Sequence, residues 1–398
     1  MDLSHIFPSA NQYDALNALL AIIASNDEGM DITDWTSISR IVQMSLGRKS
    51  FPACYEFPVL HKDGQTVSVW VVGGHNHHKA ADPHVNDTMT IFLKHVYSNA
   101  RGTYIAVQFS APQALYYAEN GLEAGTYNFT WDDTIGSMVK GAYQFTLIKP
   151  VPAGGQITIN TSSSTTPITS CKMSTYASIG DTAAIESNIT IKEGSEGINL
   201  GTMQSNSTLA ANLNCCNRVM WGSSNIAQSA VRQLLNSAAE AGKVWTPQTK
   251  FDRPPSWNNT LNGFMCDLPD DFLAAVKTAV IPCATNSFFE IDSLDGTAFA
   301  PNQAYTLNDK FFLLSRPEVY GTWDSSKYKD GEILEYFDGL SDVERVRYEV
   351  NGTARTTWSR TASQAQTYAV RNIYREDGRL YTNGAYGAYA IAPACIIG

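Results

Sequence analysis

Residues 377–398 read DGRLYTNGAYGAYAIAPACIIG, and they hold two kinds of sequence side by side. Tyr381, Tyr386 and Tyr389 stand among Gly, Ala, Asn and Thr, a mixture with which core elements do not space their aromatics. The closing AIAPACII is apolar throughout, which a solvated tail is not. The stretch therefore reads as a short apolar strand that anchors the chain, with tyrosines displayed just before it. Tyrosine offers a large amphipathic contact area at low entropic cost, and Ser, Gly and Asn add adaptable hydrogen bonds, so this is the composition of a binding surface. The opposing reading packs the same tyrosines against neighbouring strands.

Working outward, short strands precede this end: KFFLLS (310–315), RVRYEV (345–350) and TYAVRNI (367–373), separated by long loops containing Gly and Asp. Before them, WGSSNIAQSAVRQLLNSAAEAG (221–242) carries an apolar stripe of Ile226, Ala230, Val231, Leu234, Leu235 and Ala238 at helical spacing. It predicts the best helix of the chain, capped by Ser224 and ended by Gly242. A second helix is expected after Pro269 in DDFLAAVKTAV (270–280), with Phe272, Leu273, Val276 and Val280 facing inward. Helices followed by strands make residues 205–398 an α+β unit.

Residues 105–204 are more plainly all-β. GTYNFTW (125–131) and YQFTLI (143–148) alternate aromatics with polar residues, and VPAGGQITINTS (151–162) is a turn feeding a strand, which together suggest a sandwich-like module. Residues 49–104 hold β-rich runs, QTVSVWVVGG and DTMTIFLKHVY. Residues 1–48 form a short helical segment: DALNALLAIIAS is one apolar helix, and TDWTSISRIVQMSLGR places Trp35, Ile38, Ile41 and Val42 on one face, with Thr33 as a plausible cap. The fold class is thus α+β and β-rich.

A net charge of −10 without clustered Lys or Arg argues against nucleic acid. No run is apolar for long enough to insert in a membrane, and the start lacks a basic segment and cleavage site, so no secretion signal is expected. The N-x-S/T sequons at Asn128, Asn160, Asn188 and Asn206 then read as turn chemistry. Seven cysteines (Cys54, Cys171, Cys215, Cys216, Cys266, Cys283 and Cys395) are odd in number and lack CxxC spacing, so free thiols are expected, not a disulfide framework.

Five histidines fall between 75 and 95. The five are His75, His77, His78, His84 and His95; on a strand His75 and His77 share a face, and Asp82 with His84 could complete a metal site, although the spacing matches no named zinc pattern and loop histidines after VVGG are more often solvated or hydrogen-bonded structural residues. Asp267, Asp270 and Asp271 suit a helix start better than a carboxylate pair. Asp330, Glu332, Glu335 and Asp338 are loop carboxylates that could hold calcium. With no P-loop, nucleophile elbow or dinucleotide fingerprint, no enzyme and no cofactor is expected.

The stretches SAVRQLLNS (229–237), WTPQTKFDRPP (245–255), DKFFLLSRPEVYG (309–321), ARTTWSR (354–360) and AIAPACII (390–397) together resemble a phage-encoded domain of unknown function with a C-type lectin-like fold. EAGTYNFTW and PVPAGGQITI resemble a β-module that accompanies it in phage structural proteins. Family members carry a Trp-Trp-Leu-Arg-Ser-Pro strand; here it reads Thr357-Trp358-Ser359-Arg360-Thr361-Ala362, keeping the Trp and the Arg. Such domains bring their first and last strands together, so the resemblance implies that residues 49–104 pair with the 390–397 strand, a string of separate domains being the alternative. Some proteins of this kind are targets of diversity-generating retroelements, in which surface residues on a fixed frame are rewritten. That implies a frame of Trp358, Val370, Gly378, Leu380 and Pro393. The ligand-binding candidates are Trp358, Arg360, Gln364, Gln366, Tyr368, Tyr374, Arg375, Tyr381, Asn383, Tyr386 and Tyr389. Enzymes on a related fold that modify sulfatases use reactive cysteines, whereas Cys395 sits in an apolar strand. The expectation is a virion surface protein, a homo-oligomer made in the bacterial host cytoplasm, with other virion proteins and a host cell-surface protein or glycan as partners. A capsid decoration protein without a ligand is the alternative.

Overall fold

The computed structural model describes residues 34–98, 103–109, 123, 225–246, 255–285, 303–324, 329–363, 369–385 and 387–398. It also describes the backbone of strands at 115–118, 125–131, 141–147, 155–160, 170–176, 184–191, 198–199, 216–219, 290–291 and 298–299. The chain is β-rich with few, short helices, as an α+β reading requires.

The last strand, Pro393–Ile397, lies at the centre of a six-stranded sheet. One edge pairs antiparallel with Met89–Leu93, Cys395 facing Ile91. The other edge is shared end to end by two short strands, with Phe311 facing Cys395 and Val276 facing Ile397. All five residues are buried, which explains why the sequence is apolar without alternation: a strand covered on both faces has no solvent side. Proline, lacking an N–H, is tolerated at the first position of this strand. Val67–His75 and Glu56–Leu60 extend the sheet beyond Met89–Leu93. The two expected runs of residues 49–104 therefore lie in one sheet with the C-terminal strand, Met89–Leu93 pairing with it directly and Val67–His75 one strand further out.

The helix Trp35–Gln43 lays Trp35, Ile38, Ile41 and Val42 into the same core. Asp34, not Thr33, caps it, its carboxylate accepting from the Thr36 and Ser37 amides. Trp35 packs edge-on to Phe272 at 4.6 Å, and Trp70 meets Phe272 at 5.2 Å. Ser39 donates to the Gly398 carbonyl, tying helix to last strand. DALNALLAIIAS lies outside the described residues.

The helix expected over 221–242 is shorter than its pattern. Ile226–Gln228 is a 3-10 turn, Ser229 then takes an extended backbone, and among the described residues of this stretch only Ala230–Leu235 is α-helical. Ser229, not Ser224, caps it, its hydroxyl accepting from the Arg232 amide. It stops at Asn236 because that side chain is committed elsewhere: Oδ1 accepts from the Lys310 and Phe311 amides, and Nδ2 donates to the Phe311 carbonyl at 2.8 Å. The second helix, Asp270–Ala275, also ends early, since Val276 leaves it to pair with Ile397 and Ala279–Ala284 continues as a strand.

The 105–204 region contributes seven strands to an eight-stranded sheet that Cys216–Val219 completes. Gly125–Trp131 and Gly141–Leu147 form a hairpin-like pair in which Tyr127 faces Phe145. The Ser/Thr-rich loop before Ser170 lies outside the described residues.

Candidate functional site

Thr357–Ala362, Ala369–Ile373 and Leu380–Gly384 form a three-stranded sheet, with Ala369–Ile373 in the middle. Its first strand is buried at every position, because the charged member is neutralised inside the protein. Arg360 Nη1 donates to Glu318 Oε2 at 2.6 Å, and Nη2 donates to Oε1. The remaining guanidinium hydrogens go to the carbonyls of Pro282, Leu313 and Asp330. Glu318 is positioned by a capping box: Ser315 caps the helix Arg316–Tyr320, and Glu318 Oε2 accepts from the Ser315 amide at 2.9 Å. His78 completes the cluster, Nε2 2.8 Å from Glu318 Oε1 and Nδ1 3.1 Å from the Thr90 hydroxyl. Burial raises the Glu318 carboxyl, but Arg360 and His78 outweigh it and hold the group far below its ordinary value.

Asp330 lies at the rim of this cluster. Its carboxylate accepts from the Thr361 hydroxyl, and burial pushes it up to about 6. Gly331 follows with φ of 140°, where a Cβ would stand 2.9 Å from Glu318 Oε1 and the Ser315 hydroxyl. Only glycine lets the loop pass this close to the buried pair.

His77, His78 and Glu318 bring three ligand-type atoms within 4.8 Å of one another. Their chemistry is nonetheless that of a closed hydrogen-bond cluster. Two carboxylate oxygens have about four lone-pair directions, and two guanidinium hydrogens, the Ser315 amide and His78 occupy them. A cation would have to displace a charge-assisted pair and sit beside Arg360. The sequence-derived set His75, His77, Asp82 and His84 does not assemble. His75 Nε2 lies 2.8 Å from the Phe51 carbonyl, and Asp82 caps its own turn by accepting from the His84 amide. Nor do the loop carboxylates converge on one site: Asp330 faces Thr361, while Glu335 pairs with Arg48 at 3.2 Å. Asp270 and Asp271 stand in the first helical turn, Asp270 paired with Lys62.

Two binding candidates move to the interior. Trp358 is 2% exposed, donates to the Val107 carbonyl and is flanked by Phe109 and Tyr389. Arg360 is equally buried and spends its hydrogens as described. Neither reaches a surface, since each closes the core beneath the strand. Tyr389 is half-buried, its ring 4.8 Å from Trp358, so it packs more than it displays. Tyr374 and Tyr381 differ: their rings stack at 5.2 Å and 26°, with Tyr381 54% exposed. Arg375 is exposed nearby and Asn383 is half-buried opposite Val370. Gln364, Gln366, Tyr368 and Tyr386 lie outside the described residues. Gly378 has φ of 70°, and a Cβ there would collide with the Asp342 carbonyl.

Sequence reasoning missed three features. Asn372, opposite Tyr381 and Trp358, is fully buried with both amide atoms lacking a partner. Asp324 is gripped by Arg316 and Arg371. Glu318 was discoverable in part, because Ser315-Arg-Pro-Glu318 has capping-box spacing; its partner 42 residues on was not. Among the described cysteines, Cys54, Cys266, Cys283 and Cys395 are free thiols, and burial pushes Cys283 up to about 12.

Residues 206–398 match the family described as "Domain of unknown function (DUF6273)". No curated protein and no solved structure matches the chain.

Proposed function

We propose that this chain is a virion surface protein whose C-type lectin-like domain binds a host or mucosal ligand on the outer face of the 357–384 sheet. The observation that carries the reading is the Tyr374–Tyr381 stack. A tyrosine left 54% exposed while stacked on another gains little from burial, yet it presents a flat amphipathic platform at fixed orientation. The platform stands on a frame with little freedom: Trp358, Val370 and Gly378 are buried beneath or beside it. The pairing of an early strand with the last one supports the lectin-like reading, since such domains close in that way. A frame of buried residues between exposed ones also suits a diversified surface, for which an adenine-rich template copy near the gene is the check.

Binding is favoured over hydrolysis by how the buried carboxylates are used. Glu318, Asp324, Asp309 and Glu349 are each paired with arginine, and Asp330, which is not, has its carboxylate on the Thr361 hydroxyl inside the protein. Carboxylates held this way stabilise a fold and do not move protons in a cleft.

The test is binding of labelled protein to candidate host cells, comparing wild type with Tyr374→Ala/Tyr381→Ala after matching their melting temperatures. Loss in the variant supports this surface, and equal binding by both removes it. Absence of binding on every host, with particle assembly impaired when the protein is deleted, favours the capsid decoration role.

A further inference from the structure

A cleft lies on another part of the molecule, between the turn at 61–66, the segment 95–98 and the loop 260–268. It has two connected parts that share His61, Thr66, Tyr97 and Ser98. The outer part is about 190 Å³ and is rimmed by Asp267 and Asn262. The other part is about 30 Å³, room for one water or one hydroxyl group, and is lined mainly by Val67, Val69, Leu93, Val96, Phe264 and Leu268.

The polar groups around this cleft are incompletely used. His95 Nδ1 is sealed beneath the lining and takes no part in the site. The Trp70 indole donates to the Ser68 hydroxyl at 3.1 Å, which leaves the hydroxyl hydrogen for His61 Nε2 at 2.9 Å. His61 then carries its proton on Nδ1. Burial lowers both imidazoles, so they are neutral at physiological pH. Tyr97 is held edge-on to Phe264 at 4.9 Å, and burial keeps its phenol protonated. Asp63 contributes nothing to a ligand, because the Gln65 and Thr66 amides and the Thr66 hydroxyl occupy it.

We propose that this cleft binds a small neutral polyhydroxylated ligand with the dimensions of one sugar ring, seated between His61, Tyr97 and the Asp267 carboxylate. Neutral imidazoles and the Asp267 carboxylate disfavour an anion, and a volume of about 190 Å³ is too small for an extended chain. Donors and acceptors together, namely His61 Nδ1–H, the Tyr97 hydroxyl and the Asp267 carboxylate, match vicinal hydroxyls, each of which both donates and accepts. The site does not depend on the tyrosine platform.

The experiment is saturation-transfer NMR and calorimetry on the full chain, with free hexoses and N-acetylhexosamines as probes. Wild type is compared with Tyr97→Phe, which keeps the ring contact with Phe264, with Asp267→Asn at the exposed rim, and with Val343→Ala, exposed and outside the cleft. The expected result is binding of at least one sugar, weakened about tenfold by Tyr97→Phe or Asp267→Asn and unchanged by Val343→Ala. No binding of any probe to wild type overturns the proposal. Binding that neither cleft variant weakens overturns it as well.

Discussion

Arg360 shows how one residue can be conspicuous in sequence and misread in role. An arginine in a strand of Thr, Trp and Ser looks like a surface group, because a charged side chain is rarely buried unless paired. Its pair, Glu318, is brought there by a turn of helix 42 residues earlier, and no local pattern announces that meeting. The pair is fully desolvated, so its value lies in mutual completion and not in either charge alone. Arg360→Met leaves Glu318 buried with only the Ser315 amide and His78, and the expected loss is about 3–5 kcal/mol of unfolding free energy. Adding Glu318→Met to that variant is expected to restore part of the loss, since two apolar groups replace two charges. Urea denaturation of the two single variants and the double variant checks this, and strictly additive losses would contradict it. The display residues were more legible: the exposed Tyr381 follows from its small polar neighbours, whereas the packing of Tyr389 on Trp358 depends on a contact the sequence does not spell out.

At the scale of elements, strands were easier to read than helices. The apolar run at 390–397 reads as a short anchoring strand because a solvated tail would not be apolar throughout, and burial on both faces explains its lack of alternation. Helix positions were also legible, but their ends were not, because tertiary partners cut both long patterns short. Val276 has an inward helical position by periodicity, yet it gains a ladder partner in Ile397 by leaving the helix. Asn236 ends the other helix by serving two amides and a carbonyl of 310–311. Asn236→Ala strips these groups of their partner in a half-buried setting, and the expected cost is about 2–3 kcal/mol. Ser229→Ala, which removes the cap and the hydroxyl's bond to the Ile226 carbonyl, is expected to cost about 1 kcal/mol. Chemical denaturation that ranks the two in the opposite order would show that the helix end is set by propensity and not by the bridge to 310–311.

For the whole molecule, one continuous core joins the Trp35–Gln43 helix, the central sheet and the last strand, so groups buried at distant points act on a single stability. Acid acts on that stability in two opposing senses. Burial lowers His61, His75 and His95, and pushes His77 down to about 4 from 6.5. Below about pH 6.5 the unfolded chain takes up protons that the folded chain refuses, so these histidines make stability fall as pH falls. Asp330 does the reverse. Burial raises it to about 6 from 3.8, so between those values the folded chain keeps a proton the unfolded chain has lost. Its contribution is full below the unfolded value and is lost as pH rises toward 6, by about 3 kcal/mol at one pKa unit per 1.4 kcal/mol. The wild-type protein is therefore expected to gain stability from pH 4 to 7 through its histidines, with Asp330 flattening the rise. Asp330→Asn removes the opposing contribution. Whatever constant change the lost contact with Thr361 brings, the variant's stability relative to wild type is expected to rise by about 2–3 kcal/mol between pH 4 and 7. Urea midpoints of both proteins across that range measure the difference directly. A difference independent of pH would mean that Asp330 ionises in the folded chain as it does in water, and that the cluster around Arg360 is open to solvent at this edge.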